Sequence, residues 1–82
     1  AGSAADFLNL PNNAVVELGS RRIGIEVKFS SAPKPSRGFW QALEDLGAAQ
    51  AYVIAPVAHA YPLAANVDVL PVTQLTRALL GG

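Results

Sequence analysis

The chain contains no cysteine and no methionine. Without cysteine there is no disulfide framework and no thiolate metal site. A single histidine, His59, excludes a multi-histidine metal centre. Formal net charge is zero, which removes the bulk electrostatic drive toward nucleic acid but leaves room for a local patch. No apolar run reaches the roughly 18 residues of a membrane span. No secretory signal is visible. The default expectation is therefore a cytoplasmic protein with no membrane partner. A chain that starts with Ala and lacks Met reads as a piece of a longer protein. On that reading residues 1–12 are an N-terminal extension or a vector-derived segment.

What is present suffices for one small domain over residues 13–82. Half of the 82 residues are apolar, and Gly and Pro punctuate rather than form runs, which argues against disorder. A chain of this size buries only about 60% of its unfolded surface, so its stability is marginal. Five cations, Arg21, Arg22, Lys28, Lys34 and Arg37, fall in one short interval, and the rest of the chain adds only Arg77.

Arg22-Ile23-Gly24-Ile25-Glu26-Val27-Lys28-Phe29 is the central stretch. Its apolar residues are β-branched or aromatic, so it reads as a strand buried for most of its length. Alternation puts Glu26 and Lys28 on one face and Ile25, Val27 and Phe29 on the other. Ala14-Val15-Val16-Glu17-Leu18 precedes it as a strand, and Gly19-Ser20-Arg21 reads as the hairpin turn. Antiparallel pairing then places Leu18 near Arg22, and Asn13 and Ala14 near Glu26 and Val27. Ala4 to Leu10 reads as either a helical turn or an edge strand.

A Ser- and Pro-rich loop follows, ending at Ser36, a good N-cap. Phe39, Ala42, Leu43 and Leu46 recur at helical spacing, with Gly47 as the C′ residue. Gln50 to Ala55 is a second buried strand. A strand, helix and strand spaced this way imply a crossover and parallel pairing. Pro56 to Asn66 reads as an irregular connection, with Tyr61-Pro62-Leu63 a packed turn. Val67 to Val72 is a further strand, and Thr73 caps a closing helix. The fold expectation is α/β: a small mixed sheet, antiparallel hairpin plus parallel crossover, with packed helices.

A buried strand tolerates charges only when they are paired or used. Metal-dependent nucleases need carboxylates for a hard cation and a nearby positive charge for water or phosphate. Glu26 and Lys28 supply one of each on one face. The plainer alternative is an ion pair on a solvated sheet face. Lys34 and Arg37 are candidate phosphate contacts, and Gln41 is a polar candidate one turn into the helix. Each of the three also fits an ordinary solvated position.

The block from Arg21 to Phe39, with Ala42-Leu43-Glu44-Asp45-Leu46, Tyr52-Val53-Ile54 and Tyr61-Pro62-Leu63, resembles the C-terminal domain of AAA-type ATPases of bacteria and archaea. That domain is similar to the PD-(D/E)xK, restriction-endonuclease-like fold. The resemblance covers roughly Asn13 to Leu80. It implies a reduced restriction-endonuclease-like core and a parent protein with a P-loop domain. This stretch has no Gly-x4-Gly-Lys-Ser/Thr of its own.

The resemblance matches Glu26 and Lys28 to the catalytic (D/E)xK pair, with Glu26 also a metal ligand. It places Asn13 or Asn12 where the family carries a metal-binding Asp. An amide oxygen can coordinate but brings no charge. Asp6 substitutes only if the Pro11-Asn12-Asn13 segment folds it back, and Glu17 lies too near the turn. The implied function is a nuclease-like accessory domain of an ATPase, DNA-binding, with weak or absent cleavage. Mg²⁺ is implied only if it is active. The alternative is a protein-interaction or dimerisation module, docking on the parent ATPase or on a second copy.

Overall fold

Val15, Val16 and Leu18 before Gly19-Ser20, and Ile23, Ile25 and Val27 after it, build an antiparallel hairpin. In the computed structural model, which describes Leu8, Leu10 and residues 12–81, its strands are β1 (Asn13–Leu18) and β2 (Arg21–Val27). The turn is one residue shorter than expected. Gly19 takes φ +64, which a two-residue hairpin demands and glycine allows. Leu18 therefore faces Arg21 rather than Arg22. Asn13 still faces Glu26, while Ala14 faces Ile25. The Ala4 to Leu10 expectation falls largely outside the described residues, as does Asp6.

Helix α1 (Arg37–Leu46) starts at Ser36, whose hydroxyl accepts from the Phe39 N–H at 3.2 Å. It stops at Gly47, which sits at φ 68 and returns its N–H to Glu44 O at 3.1 Å. β3 (Gln50–Ile54) then runs parallel to β2. Its residues after Gln50 are all buried, as expected of a parallel strand covered on both faces.

The expected irregular connection contains a strand instead. β4 (Tyr61–Ala64) pairs antiparallel with β5 (Val67–Leu70), so Tyr61-Pro62-Leu63 is not a packed turn. Pro62 is tolerated because β4 is the outer edge, where a missing N–H costs no ladder bond. The register shifts between Pro62 and Ala64. β5 ends at Leu70, two residues earlier than expected. Pro71, not Thr73, occupies the cap position, and Thr73 lies inside a 3-10 turn, Val72–Gln74. The closing helix α2 (Leu75–Gly81) follows.

The sheet order is β1-β2-β3-β5-β4. Alternation along its strands makes two cores. On one face Ala51, Val53, Val67 and Val69 meet Phe39, Ala42 and Leu46 of α1. On the other Ile23, Ile25, Tyr52, Ile54 and Leu70 meet Leu75, Ala78 and Leu79 of α2. The expectation of a small mixed α/β sheet with packed helices holds, with one helix on each face. Among the described residues no helix is long and apolar enough to cross a membrane.

Candidate functional site

Glu26 lies near the end of β2, in register with Asn13 on one side and Val53 on the other. Val53 belongs to the core under α1, so Glu26 points into that face. It is 3% exposed, a buried charged residue among the apolar core. The plainer expectation of a solvated ion pair is corrected here, because the Glu26 carboxylate is buried while only Lys28 keeps access to water.

Two groups receive the carboxylate. Lys28 Nζ lies 3.7 Å from Glu26 Oε2, within ion-pair range but beyond a strong hydrogen bond. The Asn13 side chain hydrogen-bonds the same carboxylate. Burial pushes the Glu26 carboxyl above its ordinary value, and Lys28 and Asn13 pull it partly back. Lys28 itself stays about one-third exposed, so its ammonium reaches water. The Lys28 N–H donates to Ile54 O at 2.8 Å, which extends the β2–β3 pairing past the strand.

The two asparagines differ in their relation to Glu26. Asn13 is the register partner of Glu26. Asn12 is exposed, in the left-handed region at φ 61, and its carbonyl accepts from Val27 N–H at 2.9 Å. Glu17 is spent elsewhere, 3.5 Å from Arg22 near the turn. Lys34 and Arg37 are exposed, and no hydrogen bond or ion pair ties either to Glu26, Lys28 or Asn13. Gln41 is exposed and donates to Asp45 at 3.3 Å on the same helix. His59 is exposed in the β3–β4 connection. No group of three or more His, Asp or Glu side chains stands at metal-binding separation among the described residues. The donor set at Glu26 is thus one carboxylate and one amide beside an ammonium. A hard dication prefers several carboxylate or carbonyl oxygens, so these described residues alone fit Mg²⁺ poorly.

A groove of about 510 Å³ opens beside this cluster. Val27, Phe29, Ile54, Pro56 and Val72 line it, and Lys28 is its one charged wall. It lies past the carboxyl ends of β2, β3 and β5, where open α/β sheets hold their ligands. The expected alternation put Phe29 on a buried face, but it is 82% exposed. A signal was present: Phe29 directly precedes the Ser- and Pro-rich loop, and β3 ends at Ile54 before reaching it.

Residues 14–75 match the family described as Domain of unknown function (DUF4143). The chain belongs to that family. Within that span lie Glu26 and Lys28, whereas Asn13 stands just before it. An uncharacterised protein of Mycobacterium bovis is 38% identical over 60 residues. So is an uncharacterised protein of Mycobacterium tuberculosis. The matched stretch covers 73% of this chain but only 14% of either relative. No solved structure matches the chain.

Proposed function

We propose that this DUF4143 chain is a nuclease-like accessory domain of a larger ATPase, acting by binding DNA rather than by cutting it. One observation carries the reading. Asn13 stands opposite Glu26 in the ladder, where the nuclease-like pattern calls for an acid, and hydrogen-bonds the carboxylate. The hairpin and the parallel strand bring Asn13, Glu26 and Lys28 to one sheet end, which supports the reading. The amide leaves the pair one negative charge short of a dication site. Lys34, exposed on the loop beside that end, and Arg37, exposed at the first position of α1, are the phosphate contacts of this reading.

The test combines binding and cleavage. Fluorescence anisotropy with duplex and branched DNA is expected to show salt-sensitive binding that weakens in Lys34→Ala and Arg37→Ala. Plasmid incubated with Mg²⁺ or Mn²⁺ is expected to stay intact. Metal-dependent cuts abolished by Glu26→Ala would replace the reading with an active nuclease. Absence of any DNA binding at low salt would end it.

A second reading, a protein-interaction module, is favoured by Phe29 and Val72, exposed at the mouth of the apolar groove. Its occupant is the remainder of the parent polypeptide, because the curated relatives extend far beyond the matched stretch. Pull-down of the parent ATPase domain by this chain, lost in Phe29→Ser, is the outcome that would favour it.

A further inference from the structure

We infer that the cavity between α1 and the β4–β5 turn receives an arginine side chain of a protein partner. It lies at the end of the sheet opposite the Glu26 cluster and does not depend on the nuclease-like reading. Its volume is about 270 Å³. Trp40, Leu43 and Glu44 of α1 form one wall, and Gln50, Asn66 and Val67 form the other.

Three features converge on a cationic, planar guest. Trp40 is 36% exposed, and its ring is held edge-on to the fully buried Phe39 at 5.1 Å. A partly exposed, fixed indole attracts a guanidinium through its face. Glu44 stands one turn further on and lines the same cavity. Among the described residues no cationic side chain pairs with Glu44 or lines the cavity.

The third feature is the helix itself. The C-terminal end of α1 carries the negative end of its dipole and places Glu44 and Asp45 there, with no basic residue in the last turn. That arrangement is unfavourable for the isolated helix and is relieved by a cation arriving from outside. Gln50 is already anchored, donating to Ala51 O at 3.2 Å, which leaves its side-chain oxygen as an acceptor. The cavity thus gathers an exposed indole, a carboxylate and two side-chain amides around one mostly apolar space, a set of groups suited to a guanidinium and its methylene stem.

Trp40 is the only tryptophan, so its emission reads this cavity alone. The chain is titrated with an acetylated, amidated Gly-Arg-Gly peptide, with the same peptide carrying citrulline, and with free arginine. Backbone amide shifts of Asn66 and Val67 report the opposite wall. The arginine peptide is expected to move Trp40 emission or those amides saturably, and the neutral citrulline peptide is not. Glu44→Gln is expected to weaken binding about tenfold. Free arginine binding as tightly as the peptide would reassign the cavity to a small molecule. Silence in both signals, an equal response to citrulline, or unchanged affinity in Glu44→Gln overturns the proposal.

Discussion

Asn13 and Glu26 face each other across the antiparallel β1–β2 ladder, and the Asn13 amide hydrogen-bonds the Glu26 carboxylate. The pairing gives the buried carboxylate a neutral hydrogen-bond partner across the ladder. It also explains how a residue only 3% exposed can carry a charge beside the α1 core. Lys28 supplies the compensating cation from the half-exposed end of the strand. The cluster is self-neutralising, and its behaviour with pH and metal follows from that.

Burial raises the Glu26 pKa above 4.5. Between 4.5 and the raised value, the folded chain holds a proton that the unfolded chain has released. The stability Glu26 contributes is therefore complete below 4.5 and is lost as pH rises through the folded value. Glu26→Gln removes this dependence while keeping a hydrogen-bonding group beside Asn13. The variant is expected to be more stable than the parent at neutral pH, because the parent must keep a buried carboxylate ionised there. The margin is expected to shrink below pH 4.5. Thermal melts across that range check it. A less stable Glu26→Gln at neutral pH would mean that attraction to Lys28 outweighs the cost of burial.

Asn13→Asp sets two carboxylates directly opposite each other. Without metal, like charges across the ladder are expected to lower stability by about 1 kcal/mol. Mn²⁺ is expected to reverse the loss, because the paired carboxylates now suit a dication. At a hundredfold excess over Kd the gain is about 2.7 kcal/mol. Differential scanning fluorimetry with and without Mn²⁺ reads both effects. An equal metal response in the parent chain would show that the amide is already a sufficient ligand.

The hairpin, α1 and the β2–β3 crossover were legible because their signals are local. Gly19, Ser36 and Gly47 mark turns and caps that need no distant partner. Glu26 and Lys28 sharing a face was equally legible from alternation. The depth of Glu26 was not, because it depends on tertiary packing over the end of β2 rather than on the strand's own pattern. β4 was missed for a similar reason. Tyr61 to Ala64 carries a proline and few β-formers, and its extension comes from pairing with β5. Phe29 was misplaced because alternation was carried past the point where neighbouring strands end.

The caps of α1 give a direct test of those local signals. Ser36→Ala removes the acceptor for the Phe39 N–H and is expected to cost about 1 kcal/mol. Gly47→Ala is expected to cost about as much, since φ 68 strains any residue with a Cβ. Both reduce the midpoint of urea denaturation without changing its slope. A changed slope would point to a loosened native sheet rather than a lost cap.

Phe29 and Phe39 are expected to separate packing from surface in one experiment. Phe39 is fully buried between α1 and the sheet, while Phe29 is 82% exposed. Phe39→Ala is expected to cost about 3–5 kcal/mol, enough to unfold much of a domain at the low end of the 5–15 kcal/mol range. Phe29→Ser is expected to leave stability within about 0.5 kcal/mol. Urea denaturation of the two variants measures the contrast. A large loss in Phe29→Ser would show that its ring packs into the groove in solution, against apolar walls that include Ile54 and Val72. The groove beside Lys28 would then be filled from within, and the docking of a partner there would have to displace Phe29 first.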